Sequence, residues 1–141
     1  MQKIVIDTDV ILDFFFDREP FSENAAKILS LCEKKVIAGF VTPVIISNVY
    51  YLLSQKGKQK KVIEKLKLLL TIIDILIIDK NTILVALNSE FNDFEDALQN
   101  YTAELHGEIN IIVTRNTKDY KKSALAIMNP EDLLKSINSF T

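Results

Sequence analysis

The sequence predicts an α/β protein: a three-layer αβα sandwich around a mostly parallel sheet of about five strands. Three observations carry that expectation. Short β-branched runs alternate with amphipathic helical stretches, the order that builds parallel sheets with helical crossovers. Carboxylates sit where the apolar runs stop, at the ends of the expected strands. The 141 residues, 48% hydrophobic and 26% charged, suit one compact domain spanning 1–141 with a single core.

Lys3 to Asp7 has no polar break, as expected of a strand buried on both faces. Val10 to Phe16 follows as a short helix, with Asp9 as its expected cap. Arg18-Glu19-Pro20-Phe21 turns the chain, and Ser22 is a suitable N-cap for a helix with Ala25, Ile28, Leu29, Leu31 and Cys32 on its apolar face. Ile37 to Thr42 reads as the second strand. Pro43 fits the first turn of the next helix, which carries Val44, Ile45, Val49, Leu52 and Leu53 and ends by Gly57. Gln59 to Leu70 forms a basic-sided amphipathic helix, Ile73 to Ile78 a third strand, and Thr82 to Ser89 a further helix. Asp93 to His106 is helical, with Gly107 as C-cap. Ile109 to Thr114 and Ala124 to Met128 complete the strands, and Pro130 opens a closing helix.

Cys32 stands alone, so no internal disulfide is available, and no basic-then-apolar leader opens the chain; a cytoplasmic address is expected. The apolar stretch from Leu68 to Ile78 is interrupted by Thr71 and Asp74 and is shorter than the roughly 20 residues of a membrane-spanning helix. A formal charge of −2 argues against a surface coated by polyanion, while leaving room for a local basic face.

If the apolar runs are neighbouring parallel strands, their carboxyl ends gather Asp7, Asp9, Asp93, Asp96 and Asp119 at one crevice, where open α/β sheets bind ligands. Carboxylates within ~4 Å repel by about 4 kcal/mol per pair at an effective dielectric near 20, a cost that a bound cation removes. Mg2+ or Mn2+ suits such oxygen ligands, and phosphodiester hydrolysis is the matching chemistry. Each piece also has a plainer explanation. Asp7-Thr8-Asp9 can simply cap a helix. Asp93, Glu95 and Asp96 suit a helix dipole, although Asp93 and Asp96, three apart, share a face. Thr114 to Asp119 can be only a polar turn. The three segments together carry the weight.

In this order, Ile4-Val5-Ile6-Asp7-Thr8-Asp9-Val10-Ile11-Leu12-Asp13, Asp93-Phe94-Glu95-Asp96-Ala97-Leu98-Gln99 and Ile112-Val113-Thr114-Arg115-Asn116-Thr117-Lys118-Asp119-Tyr120 resemble the PIN domain family of metal-dependent ribonucleases, which includes the VapC-type toxins. The resemblance covers nearly the whole chain. It implies that Asp7 and Asp96 bind metal, that Asp93 supports them, and that Asn116 or Asp119 fills the fourth place, with Thr114 placing the phosphate or a water. It further implies RNA as substrate, a small antitoxin protein as partner, and a homodimer.

Departures from the family pattern are as informative. Asn48 falls where a helix-borne Glu is usual, Asn116 where many members carry Asp, and Asp9 where many carry Asn. Amides still ligate hard cations, but less negative charge implies weaker metal binding and weakened activity. Arg115 and Lys118, with Lys121 and Lys122, are placed to hold RNA phosphates beside the last acidic motif. The lysines from Lys56 to Lys67 read as a solvated helix face, and His106 as a helix-end residue without a catalytic role. Phe14, Phe15, Phe16, Tyr50 and Tyr51 are expected in the core or at an interface. Two other classes compete with a nuclease. One is a non-catalytic PIN-like module that binds RNA or protein; the other is a haloacid dehalogenase-type phosphatase with Asp7 as nucleophile and Asp9 as acid/base.

Overall fold

In the computed structural model, which describes residues 1–138, the elements alternate as the sequence implies. They are β1 (Gln2–Ile6), α1 (Thr8–Phe15), α2 (Ser22–Glu33), β2 (Ile37–Val41), α3 (Pro43–Ser54), α4 (Gln59–Leu69) and β3 (Asp74–Ile75). Then come α5 (Lys80–Leu87), α6 (Phe94–His106), β4 (Ile111–Val113), a 3-10 turn (Thr117–Tyr120), β5 (Ala126–Met128) and α7 (Pro130–Asn138). The last three residues of the expected span, 139–141, lie outside the described residues.

The five strands run in the order β3-β2-β1-β4-β5, and every pairing is parallel. Helices cover both faces, giving the three-layer αβα sandwich. β1 lies at the centre, which is why Ile4, Val5 and Ile6 have no exposed surface and no polar alternation. They join Val10, Ile11, Ile28, Val41, Ile45, Val49, Ile112, Val113 and Leu133 in one continuous core. A smaller cluster of Ala86, Ala97 and Leu98 holds α5 to α6.

Three local expectations are corrected. The first helix begins at Thr8, and its cap is Asp7, whose extended backbone (φ −71°, ψ 160°) lets the side chain accept the Thr8 N–H; Asp9 lies inside the first turn. Ser22 begins α2 rather than capping it, because Ser22 N already donates to Arg18 O and its hydroxyl donates to Glu19. The third strand shrinks from Ile73–Ile78 to Asp74–Ile75. β3 is an edge strand bordering only β2, and β2 stops at Val41 because Thr42 caps α3 and Pro43 opens it. Beyond Leu76, which still donates to Val41 O, the run has no ladder to join, and Ile77 is 86% exposed.

Phe15, Phe16 and Tyr50 pack against the core, whereas Phe14 and Tyr51 are exposed. Cys32 is a buried free thiol, pushed up to about 12 by desolvation. Among the described residues, no helix is long and apolar enough to cross a membrane.

Candidate active site

The parallel sheet ends its central strands side by side, so residues that follow β1 and β4 meet. Asp7 N donates to Val113 O at 2.9 Å, which fixes the Asp7 carboxyl at the boundary between strand and helix. Four donors hold that carboxyl: Thr8 N (2.7 Å) and Gln99 Nε2 (3.2 Å) on Oδ1, and Thr114 Oγ1 (2.9 Å) and Tyr120 OH (3.3 Å) on Oδ2. Burial raises its pKa, and these hydrogen bonds oppose the rise.

Asp9 faces the chain leaving β4. Its Oδ2 accepts Arg115 N (3.0 Å) and Asn116 Nδ2 (3.4 Å), and burial followed by the charge of Asp7 raises its pKa to about 6. Asp93 caps α6 by accepting Asp96 N at 3.0 Å, so the capping explanation holds for it, and the same residue lines the cavity. Asp96, half-buried one turn in, is raised to about 7 by burial and then by Asp93, Asp7, Asp119 and Glu95. Its field therefore sums acids from all three sequence segments.

These groups surround an open cavity of about 500 Å3 at the carboxyl edge of the sheet, lined by Asp7, Thr8, Asp9, Leu12, Arg18, Asn48, Leu52, Asp93, Glu95, Asp96, Gln99, Asn116 and Asp119. Of the expected site residues, Asp7, Asp93, Asp96, Asp119, Asn116 and Asn48 are brought together there. Thr114 is not in the lining: it is fully buried behind Asp7, its hydroxyl donating to that carboxyl and accepting Asn116 N at 3.1 Å. It positions Asp7 instead of reaching a phosphate or a water in the cavity.

Arg115 also departs from its expected place. Its Nε and Nη2 meet the buried Asp13 carboxyl at 2.6 and 3.0 Å, and its guanidinium packs 4.0 Å from the centre of the Phe21 ring. That fork geometry commits Arg115 to joining the β4 loop to α1. Lys118 is exposed and lines a smaller adjoining cavity with Asp93, Asp96, Asp119, Lys121 and Lys122. Four participants were given no site role by the sequence: Arg18, which lies outside the three acidic segments, and Glu95, Gln99 and Tyr120, which lie within them. Arg18 is the single cation lining the main cavity among the described residues, braced by Asp13 at 3.5 Å and packed over Phe16. Gln99 lies one helical turn after Asp96, and that spacing could have flagged it.

Among the described residues, no group of three or more His, Cys, Asp or Glu side chains is arranged to hold a metal ion. The donor chemistry nevertheless fits a hard cation. Thr8 Oγ1, Asp9 Oδ1 and Gln99 Oε1 are buried without hydrogen-bond partners, and all three residues line the cavity. Oxygen donors spread around an open cavity suit an ion such as Mg2+ that keeps several waters between itself and part of its acid shell.

The fold and site define a parallel α/β protein with an acidic cavity at the carboxyl ends of its central strands. Residues 3–118 match the model of the PIN domain, and the chain belongs to that family. It is 23% identical to Ribonuclease VapC1 of Aquifex aeolicus (strain VF5) over 143 residues, covering 98% of this chain and 97% of that protein. Its fold is similar to that in the crystal structure of VapBC2 from Rickettsia felis bound to a promoter DNA fragment (TM-score 0.69, 17% identity, 91% of this chain and 98% of that one). A toxin–antitoxin complex from Klebsiella pneumoniae is also similar (TM-score 0.67, 20% identity, 90% and 97% covered). Family membership removes the ground for the haloacid dehalogenase-type alternative.

Proposed function

We propose that this chain is a Mg2+- or Mn2+-dependent endoribonuclease, a single cytosolic domain acting as the toxin of a toxin–antitoxin pair. The observation that carries the reading is the convergence of Asp7, Asp93, Asp96 and Asp119 on one open cavity. Asp7 and Asp96 would hold the ion, with Asp93 and Asp119 supporting them and Asn48 and Asn116 contributing amides. When bound, the ion polarises a phosphodiester and lowers the pKa of an attacking water.

The chain's own residues do the rest. Thr114, Tyr120, Gln99 and Thr8 fix both oxygens of Asp7, so its carboxylate does not rotate away as substrate enters. Arg18 holds the incoming phosphate at the cavity wall, the role that Arg115 leaves open by pairing with Asp13. Lys118, Lys121 and Lys122 hold flanking phosphates beside the adjoining cavity. Amides at positions 48 and 116 lower the negative charge available to the ion and weaken the site relative to an all-carboxylate one.

Cleavage of a mixed single-stranded and hairpin RNA pool tests the reading, with Mg2+, Mn2+ or EDTA and with Asp7→Asn and Asp96→Asn as controls. Cutting that requires metal and disappears in both variants is expected. Equal cutting by the variants, or none by folded wild-type protein with either ion, rejects it. The amides favour one second reading, an RNA- or protein-binding module that does not cut, which metal-independent RNA binding without cleavage would support. An antitoxin partner fits the Klebsiella pneumoniae relative, described as a toxin–antitoxin complex, and exposed apolar residues such as Tyr51, Leu84 and Leu87 suit an antitoxin or homodimer interface. Light scattering of the purified chain, alone and with a co-expressed neighbouring small protein, tests both.

A further inference from the structure

Asn48 on α3 and Glu95 in the first turn of α6 meet at the cavity wall: Asn48 Nδ2 donates to Glu95 Oε1 at 2.6 Å across 47 residues of sequence. Left to itself, Glu95 is an exposed first-turn acid of the kind the helix dipole favours, with a flexible side chain. The hydrogen bond gives it one direction. A carboxylate only accepts, so Asn48 must present its amide N–H here. An amide orients the acid without cancelling its charge, as Lys or Arg would, and a carboxylate at position 48 would repel it.

We propose that Glu95, held by Asn48, is a carboxylate of the cation site and supplies from α6 the charge that α3 lacks at position 48. The proposal rests on reading the cavity as a divalent-cation site. An independent observation supports a ligand at this wall: Gln99, 4% exposed and one turn after Glu95 on α6, lines the same cavity, and its buried Oε1 has no hydrogen-bond partner. In this arrangement the oxygen donors come from the cap and first two turns of α6, the acids Asp93, Glu95 and Asp96 and the amide Gln99, with α3 contributing the positioning amide.

The test is Mn2+ affinity, read by electron paramagnetic resonance of the free ion, for wild type, Glu95→Gln, the exchange variant Asn48→Glu/Glu95→Gln, and Asp96→Asn. A simple tether between α3 and α6 would change thermal stability without changing ion affinity, so melting temperatures are measured alongside. Glu95→Gln is expected to weaken Mn2+ binding roughly tenfold or more while remaining folded. The exchange variant should recover most of that loss, because the carboxylate then comes from α3 and the amide from α6. If Glu95→Gln binds Mn2+ as wild type does while Asp96→Asn loses it, Glu95 is only a tether and the proposal falls, leaving the cation site intact. Loss in Glu95→Gln with no recovery in the exchange variant overturns the substitution of one position for the other. If wild type binds no Mn2+, or Asp96→Asn binds it unchanged, the cation-site reading itself fails, and the proposal with it.

Discussion

At Asp96, burial and the neighbouring acids act on one carboxyl in the same direction. Its pKa of about 7 against an ordinary 3.8 comes first from burial and then from Asp93, Asp7, Asp119 and Glu95. Between those two values the folded chain holds a proton that the unfolded chain has released. Stability of the metal-free protein therefore falls as pH rises through that window and is fully present only below it. Asp7 and Asp9 are shifted the same way. In EDTA, the melting temperature should be higher near about pH 5.5 than near about pH 8, and Asp96→Asn should raise it at the higher pH. Mn2+ held at the proposed site would favour the ionised acids, so the thermal shift it produces should grow with pH across the same range; a shift independent of pH would contradict this. Asp13 is a 1%-exposed carboxylate paired with both Arg115 and Arg18. Asp13→Ala strands two arginines that still reach water, and should cost about 2–3 kcal/mol in urea denaturation, less than stranding a fully buried charge.

Among the elements, β2 is held unusually close to its covering helix. A Cβ at Gly39 would stand 2.7 Å from Cys32 Sγ on α2 and 2.9 Å from Ile73 Cγ2. Gly39→Ala should therefore destabilise by about 1–3 kcal/mol, and Cys32→Ala in the same chain should recover part of that loss by removing the nearest atom. The same burial that raises the Cys32 thiol makes it inert: alkylation at neutral pH should be slow in the folded protein and fast in urea. Gly107, at φ 86°, ends α6 in the left-handed region, and replacement by Ala should cost about 1 kcal/mol through backbone strain alone.

At the scale of the whole molecule, a formal charge of −2 means that the proposed RNA binding would depend on local cations. Arg18 faces the acidic cavity, and Lys118, Lys121 and Lys122 flank it, while the lysines on α4 lie outside its lining. Binding should therefore fall steeply with salt, and Arg18→Ala should reduce the log–log salt slope by roughly 0.7 if it neutralises one phosphate of a single strand. Arg115→Ala should lower stability more than it changes that slope. Filter binding at several salt concentrations separates these outcomes.

The sequence by itself determined the alternation of strands and helices, the parallel sheet and the three acidic segments at strand and helix ends. Apolar periodicity and capping chemistry are local, and Ile4-Val5-Ile6-Asp7 carries its burial and its exit from the sheet within four letters. Tertiary structure decided what each polar side chain meets. Asp7 rather than Asp9 became the cap because the helix started two residues earlier than Val10. Edge position cut β3 short, since a strand lasts only as long as the neighbour that bonds it. Arg115 went to Asp13, and Asn48 to Glu95, through contacts 102 and 47 residues apart. Pairings of that kind depend on how distant elements pack, and no spacing along the chain encodes them.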